Sequence, residues 1–557
     1  MWIMILMTNY YIYKENIIFK LLRLILIKKK NNFIYWERNK GKDNKYIQYP
    51  PISQYYNLLK ESKSHLEKYF NTIALMDTDQ YLIDYIKKSI SYTFFDYYYY
   101  RKAVENYNDN SNNSIIRAPV FLNDIYEMKK INNKSPVLLI KYIIYMIISF
   151  IKICRLILIC FIQKNKIDVP DVIYYQKKIL PLSLKISDSI KDGYSIEAVT
   201  LQFSMNSNEY GINYLNNFHN SFKASIRAFI LIWKYFIYDI KYFFMLKIPG
   251  EMISTYLIHS FSTLCLVNLK PLIFFGIMEK PPFILLNKYK YKWQKKCDFS
   301  DGFVYHPVPS LDYVYADVFY TMNDIEIGNI NANGGRIGKK TIVGDIRNQK
   351  IKNSRGVSKD LQNMIHDSVH TVLVATNRLH IDKYFPLTKE QLNQFLDVII
   401  ELAVCNKDSF FIVKTKKGEY KSISPRITQE LLSLSNVYTI HSDIPSLLEY
   451  NHFEDLIQLS DMLISMFFCS TVIWQALSIK IPVIACNSIF EHSFLRKYKN
   501  LEVRHDEMKK AFYYWKNISK SDFERFISEI DSETNVLKPN SLNLIIDNIS
   551  NLTTESQ

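Results

Sequence analysis

The 557-residue sequence lacks the cysteine patterns of metal-binding and disulfide-rich proteins. Its seven cysteines are scattered, mostly in apolar stretches, with no CxxC pair and no histidine partner at zinc spacing. They are Cys154, Cys160, Cys265, Cys297, Cys405, Cys469 and Cys486. We therefore expect free thiols in a reducing compartment.

A secretory signal and a long uncharged apolar run are also missing. Residues 1–33 start apolar, but charges interrupt the segment and no small-residue cleavage site follows. In the most apolar stretch, 135–163, three basic side chains leave an uncharged run of only ten residues, from Tyr142 to Ile151. A helix that spans a bilayer needs about 20 apolar residues. The sequence thus predicts a cytoplasmic N-terminus and does not favour a membrane span.

Positive charge exceeds negative charge, which gives a formal net charge of +16. Such a balance suits nucleic acid, an anionic membrane surface or a phosphorylated substrate. The sequence contains no RRM, KH, zinc-finger or helix-turn-helix signature, so nucleic acid is not an expected partner.

Three segments combine basic residues with aliphatic and aromatic ones: 17–30, 135–163 and 222–248. This interleaving is typical of helices that lie among lipid headgroups, and it predicts peripheral attachment to the anionic inner face of the plasma membrane. The alternative is that these helices pack in the core of an N-terminal domain while their lysines extend outward.

Downstream of about residue 270 the sequence changes to short apolar runs bounded by turn residues. Strands are predicted at 271–275, 302–305, 317–321, 341–343, 369–375, 410–414, 437–440, 462–466 and 483–486. Helices are predicted at 388–405, 427–434, 453–459 and 471–478. This alternation predicts an α/β fold with a parallel, doubly wound sheet, in which ligands bind at the carboxyl ends of the strands.

The sharpest local feature is the segment 460–486, which reads as a buried strand, a tight loop, a helix and another buried strand. Ser470 and Thr471 stand at the start of the helix. Free N–H groups at the positive end of a helix dipole bind anions such as a diphosphate. The alternative is that Ser470 is only a helix cap.

The same segment resembles the donor-binding signature of GT-B glycosyltransferases. In chain order the matching parts are an aliphatic strand that follows an Asp, then Ser-Thr, then an amide residue, then Ala-Leu, and finally Lys-x-Pro-Val-Ile. Related surface-carbohydrate and teichoic-acid transferases and UDP-sugar 2-epimerases share this signature. The resemblance implies that Ser470 and Thr471 hold the donor phosphates. It places Gln475 where many members use a Glu to accept from the ribose hydroxyls. It also implies two Rossmann-like domains whose parallel sheets face a cleft, with additional N-terminal helices.

Two upstream segments support this resemblance. Residues 301–321 resemble a strand and histidine-containing loop of the family, with His306 as the expected base, although Tyr and Pro flank it where the family has Gln and Gly. A lone histidine is alternatively structural. Residues 340–347 resemble the interdomain strand and supply Arg347.

Lys414 matches the first residue of a Lys-Pro-His motif found in many relatives, although Pro and His are absent here. With Arg347 it would stabilise the leaving nucleotide diphosphate. The alternative is that such lysines are only solvated charges at strand ends. No Asp-x-Asp pair follows a predicted strand, so no essential metal is expected, and no cofactor besides the nucleotide-sugar substrate.

The sequence therefore predicts a basic and apolar segment at 1–70, an acceptor-side domain at 71–340 with helical insertions at 135–163 and 222–248, a nucleotide-sugar-binding domain at 341–500 and a helical tail at 501–557. The implied reaction is transfer of a sugar to a lipid-linked or growing surface-polysaccharide acceptor. Polyol-phosphate transfer and UDP-sugar epimerisation are alternatives on the same fold. A non-catalytic, membrane-associated binding protein is the alternative of another class.

Overall fold

The computed structural model describes most of the chain downstream of residue 54. The described ranges are 55–73, 79–108, 125–126, 136–162, 172–175, 196–199, 222–245, 250–277, 282–299, 313–344, 357–366, 368–376, 389–416, 422–441, 452–467, 470–487, 494–537 and 541–556. The predicted segment 17–30, the predicted strand 302–305, His306 and Arg347 lie outside these ranges.

The first half of the chain contributes long helices and one parallel sheet. Its helices are α1 (Tyr55–Ile73), α2 (Gln80–Asn108), α3 (Pro136–Ile162), α4 (Phe222–Met245), α5 (Gly250–Asn268), α6 (Pro282–Tyr289) and α7 (Asp324–Ala332). Its strands are β1 (Val172–Tyr175), β2 (Ile196–Val199), β3 (Ile273–Ile277), β4 (Lys295–Phe299), β5 (Tyr315–Thr321) and β6 (Arg336–Ile342).

The second half alternates strands and helices. Its helices are α8 (Lys359–His366), α9 (Lys389–Cys405), α10 (Pro425–Ser433), α11 (Phe453–Gln458), α12 (Thr471–Ser478), α13 (Met508–Lys516), α14 (Lys520–Thr534) and α15 (Ser541–Ser556). Its strands are β7 (His370–Ala375), β8 (Ser409–Thr415), β9 (Val437–His441), β10 (Met462–Ser465), β11 (Val483–Cys486) and β12 (Glu502–Val503).

The first sheet has the strand order β2-β1-β3-β4-β5-β6, and every pairing is parallel. β5 is buried along most of its length because strands pack on both sides of it, whereas β6 is an exposed edge strand. β6 begins at Arg336, five residues earlier than the predicted strand at 341–343. The predicted strand was too short because the lysines at 339 and 340 indicated a loop. An exposed edge strand can carry lysines because they stay in water.

A turn built on glycine connects α7 to β6. Gly334 has a φ of 77°, a conformation that favours glycine. A Cβ on Gly338 of β6 would lie 2.8 Å from the carbonyl oxygen of Asp317 on β5. The glycines of the segment 331–340 therefore allow β6 to lie close to β5.

Helices α1 to α6 surround a second apolar core beside the first sheet. Side chains of α2, α5 and α6 fill its centre, including Phe94, Tyr256 and Leu285. Each of the helices α3 and α4 contributes one face to this core. Lys288 of α6 joins two further elements, since its Nζ lies 2.7 Å from Asp239 of α4 and 2.9 Å from Asp79 before α2.

The second sheet has the strand order β12-β11-β10-β7-β8-β9, again with every pairing parallel. Counted from β7, this is the order 3-2-1-4-5-6 of a Rossmann fold. The predicted alternation is confirmed: α12 and β11 have the predicted bounds, and β7 begins one residue later than predicted. Together the two sheets confirm the predicted α/β fold class.

Apolar contacts among the described residues connect the halves. Met322, directly after β5, belongs to the apolar core of the second sheet. Ile545 and Ile549 of α15 belong to the core of the first sheet, beside Ile273 of β3. Helices α13 and α14 instead pack on the core of the second sheet.

No helix within the described ranges is long and apolar enough to cross a membrane. The five cysteines whose side chains the structure describes are free thiols: Cys154, Cys265, Cys297, Cys405 and Cys486.

Candidate functional site

The order of the second sheet reverses at β7, which has β10 on one side and β8 on the other. At this switch point, Ser465 at the end of β10 pairs with Ala375 of β7, and Ala375 pairs with Lys414 of β8. Adjacent strands are about 4.8 Å apart, so the backbones at Ser465 and Lys414 lie roughly 10 Å from each other. In doubly wound sheets, ligands bind in the crevice outside the carboxyl ends of the strands at such a switch point.

The N-terminus of α12 follows β10 at this crevice. Ser470 is the N-cap residue, with extended backbone angles of −79° and 133°, but its side chain makes no capping hydrogen bond. The backbone N–H of Ser470 donates to the carbonyl of Phe467 (3.1 Å), and the Ser465 hydroxyl donates to the same carbonyl (3.0 Å). These bonds tie the start of α12 to the end of β10.

The first turn of α12 carries no acidic side chain. The first N–H groups of a helix have no intrahelical acceptor, and they lie at the positive end of its dipole. Ser470 and Thr471 are both half-buried and add two hydroxyls to this end. An anion bound here would accept from N–H groups and hydroxyls together.

Gln475 lies one turn further along α12 and is only 5% exposed. Its neighbours Trp474 and Ala476 are part of the apolar core of the second sheet. Among the described residues no side-chain hydrogen bond of Gln475 is present; its backbone carbonyl accepts from the Ser478 hydroxyl at 2.8 Å. The amide therefore retains its capacity to bind hydroxyl groups.

Lys414 is half-buried at the end of β8, whereas Lys416, two residues later, is exposed. Burial lowers the pKa of Lys414 to about 8, and the negative charge of Glu454 at the start of α11 opposes this shift. An anion close to Lys414 would favour its charged form and raise this pKa. A phosphate bound beside Lys414 would therefore change its charge state.

Two polar residues at the same edge of the sheet were not predicted from the sequence. Asn487 follows β11, and its amide donates to the carboxylate of Glu502 on β12 at 2.5 Å. Glu502 is buried and pairs with Ala485 across the strands. An acidic residue between two apolar ones, as in Leu-Glu-Val, was the available signal for a carboxylate inside a strand.

The described carboxylates near the end of the first sheet have structural partners. Glu326 is fully buried and accepts from the Thr321 hydroxyl at 2.6 Å, while Asn323 caps α7 by accepting from the Glu326 N–H at 3.1 Å. Asp298 of β4 is buried in an ion pair with Lys296. These contacts fix local structure, so neither carboxylate stands out as a catalytic base.

The structure brings four of the six predicted site residues to one edge of one sheet: Lys414, Ser470, Thr471 and Gln475. His306 and Arg347 fall outside the described ranges. Within those ranges no three His, Cys, Asp or Glu side chains are grouped as a metal site requires.

No protein-family model and no curated protein matches the chain. Among solved structures, the chain is similar to S. aureus MnaA in complex with UDP, at 11% identity and a TM-score of 0.40 over 68% of this chain and 95% of that one. It is similar to UDP-GlcNAc 2-epimerase from Neisseria meningitidis bound to UDP-GlcNAc, at 11% identity and a TM-score of 0.39 over 68% and 99%.

A further similar structure is the wall teichoic acid polymerase TagF, at 11% identity and a TM-score of 0.39 over 76% of this chain and 99% of that one. At these identities the likeness is one of fold, and the ligands of those proteins are not carried over by it.

Proposed function

We propose that this chain is a glycosyltransferase that binds a nucleotide sugar at the carboxyl edge of the second sheet. The observation that carries the proposal is the placement of the α12 N-terminus and Lys414 on either side of β7, at the switch point of a 3-2-1-4-5-6 sheet. A helix N-terminus and a half-buried cation at one crevice suit a diphosphate.

In this proposal the residues of the second sheet hold the leaving group. The N–H groups of α12 and the hydroxyls of Ser470 and Thr471 bind the phosphates, and Gln475 binds the ribose hydroxyls. Lys414 neutralises the charge that develops on the nucleotide diphosphate as its bond to the sugar breaks. Donors aimed at developing charge contribute a few kcal/mol each to transition-state stabilisation.

The acceptor side of the proposal rests on the sequence. His306 would take the proton of the attacking acceptor hydroxyl, and Arg347 would add a second cation beside the diphosphate. The acceptor would be a lipid-linked or growing surface polysaccharide at the inner face of the plasma membrane, to which the protein attaches peripherally. Charge stabilisation by the helix and the basic residues would operate without a metal.

The test is nucleotide binding by the double variant Ser470→Ala, Thr471→Ala. Loss of two hydroxyl donors to a charged phosphate should weaken binding by at least tenfold, since hydrogen bonds to charged groups contribute about 1.5–3 kcal/mol. Calorimetric titration of the full chain with UDP, CDP and GDP sugars would measure this. Stability should change little, because the Ser470 side chain makes no capping bond.

Ser519→Ala is the matched control. Ser519 caps α14 by accepting from the Asp522 N–H at 3.1 Å, far along the chain from the crevice. Its removal should lower stability by about 1 kcal/mol and leave nucleotide affinity unchanged. Unchanged affinity in the double variant at position 470 and 471 would contradict the site. Product analysis with the preferred donor would then separate sugar transfer from polyol-phosphate transfer and from epimerisation.

A further inference from the structure

Helices α3 and α4 present apolar side chains to solvent. Thirteen of the 23 large hydrophobic side chains that are exposed within the described ranges belong to these two helices. On α3 the exposed side chains include Ile140, Ile144, Ile147, Ile151 and Leu158, which are 48–58% exposed. Their spacing of three, four and seven residues places them on one side of the helix.

The other side of α3 is buried in the protein. Tyr142 and Ile153 belong to the core beside the first sheet, and the Ser149 hydroxyl donates to that of Ser254 on α5 at 2.8 Å. The helix therefore has two apolar sides, of which one packs on α5 and one meets solvent. A surface helix of a soluble domain normally has a polar side facing water.

The solvent side of α4 combines apolar and positive groups. Ile230 and Ile237 are more than 60% exposed. Four exposed basic residues follow the same side of the helix at intervals of four and seven: Lys223, Arg227, Lys234 and Lys241. The acidic residue of α4, Asp239, is buried and paired with Lys288. This side of α4 therefore carries positive charge and no negative charge.

The two helices lie antiparallel and share this surface. The rings of Phe161 and Phe222, at the end of α3 and the start of α4, have centroids 5.1 Å apart. At the opposite ends, Tyr142 and Phe244 are 4.8 Å apart. Phe161, Phe222 and Phe244 are themselves 37–51% exposed, so the seam between the helices opens outward. We name this continuous surface the α3–α4 face.

We propose that the α3–α4 face binds the surface of an anionic bilayer, with both helices parallel to the membrane plane. The isoleucines of α3 would enter the boundary between headgroups and acyl chains, and the basic residues of α4 would contact lipid phosphates. α3 is 27 residues long, and one of its sides is packed against α5 and the core beside the first sheet, so its other, apolar side is the one that would meet lipid. This inference locates the membrane contact within the proposed function and does not depend on nucleotide binding.

The charge of the α3–α4 face favours an anionic bilayer over a second copy of the chain as its binding partner. α3 contains no acidic residue, and the acid of α4 is buried. Two such faces brought together would place lysines opposite lysines with no carboxylate to offset them. Anionic lipid supplies the missing negative charge across the whole surface.

The test is sedimentation of the full chain with vesicles of 30% phosphatidylglycerol in phosphatidylcholine, and with vesicles of phosphatidylcholine alone. We expect roughly 100-fold or more stronger partitioning to the anionic vesicles, weakened by added salt. Each basic residue near such a surface contributes about fivefold to the partition coefficient. Changing Lys223, Arg227, Lys234 and Lys241 to Gln should therefore lower partitioning by more than 100-fold.

The double variant Ile144→Glu, Ile147→Glu should reduce partitioning at least tenfold as well. Leu432→Glu is the matched control, because Leu432 is an exposed apolar residue (68%) on α10 in the second half. It should bind vesicles like the unchanged protein. All these side chains face solvent, so circular dichroism and thermal unfolding should show unchanged folding.

Partitioning that survives both sets of substitutions would overturn the inference. A second result would also overturn it: the protein does not bind vesicles, and sedimentation velocity shows dimers that the double variant Ile144→Glu, Ile147→Glu dissociates. A second copy of the chain would then cover the face. Nucleotide titration of the same variants should give unchanged affinity. Lost vesicle binding with retained nucleotide binding therefore tests the face separately from the nucleotide site.

Discussion

The strands of the two sheets bury different kinds of side chain. In the first sheet, Lys296 and Asp298 form an ion pair within β4, and both are almost completely buried. In the second sheet the centres of β7 and β10 are apolar, as at Leu373 and Ile464, and the ionisable Lys414 and Glu502 lie at the carboxyl edge of the sheet. The buried charges of β4 are thus paired with each other, whereas Lys414 lies at the carboxyl edge of the second sheet, beside the candidate site.

The surroundings of the first sheet continue this contrast. Asp239 and Lys288 pair in its helical layer, where Tyr289 and Tyr256 hydrogen-bond at 3.0 Å. His259 of α5 is half-buried, with a ring nitrogen 2.9 Å from the Tyr85 hydroxyl, and desolvation of its ring lowers its pKa to about 3. Stability of the first half should therefore depend on its charges and on pH, and function on those of the second.

Breaking the ion pair of β4 should have the largest effect. Lys296→Met leaves Asp298 buried without its partner, which costs about 3–5 kcal/mol when a buried pair is broken. Lys340→Met is the control, since Lys340 and Asp324 form an exposed pair with an expected contribution of about 0–1 kcal/mol. Urea unfolding of both variants measures the difference. Equal free energies of unfolding for the two variants would show that the buried ion pair of β4 contributes no more to stability than an exposed pair.

Acid should destabilise the first half through His259. Its folded pKa lies below its unfolded value of about 6.5, so the unfolded state binds more protons between these two values and stability falls as pH drops from about 6.5 toward 3. At pH 5 the expected loss from this group is about 2 kcal/mol relative to pH 7. His259→Gln should flatten this dependence in thermal unfolding. An unchanged acid slope would show that other groups determine it.

The smallest effect should come from the titration of Lys414. The charged lysine binds phosphate, so nucleotide affinity should decrease several-fold as pH rises from 7 to 9, through its pKa of about 8. Lys414→Gln should bind more weakly at pH 7 and lose this dependence. Parallel titrations at four pH values would measure both. A pH dependence that persists in Lys414→Gln would assign it to another group.

The sequence predicted the second sheet better than the first because strands of the first sheet bury charged side chains. The strands around Val483 and the helix from Thr471 are apolar or amphipathic in simple patterns, and both were predicted with their observed bounds. β4 was not predicted because its sequence, KKCDF, carries charges that a pattern assigns to the surface. Those charges are buried as a pair two residues apart on one strand, which periodicity does not reveal.

For the candidate site, the pattern located the loop and helix at Ser470 and the strand end at Lys414. It could not show that the two elements flank the same strand, because the pairing of β7 with both β8 and β10 is a long-range property. Glu502 was missed because it lies on a strand of only two residues. α7 was also missed, although Asn323 and Glu326 have the spacing of a capping motif.

The contact of α15 with the first sheet has a consequence for synthesis on the ribosome. β6 ends at Ile342, but the isoleucines that complete the core of that sheet are at 545 and 549, about 200 residues later. At a translation rate of roughly 5–20 residues per second, the apolar surface beside β3 stays uncovered for on the order of 10–40 s before α15 has been synthesised. During that interval the growing chain exposes the surface that α15 will cover, and a chaperone that binds apolar segments would find it there.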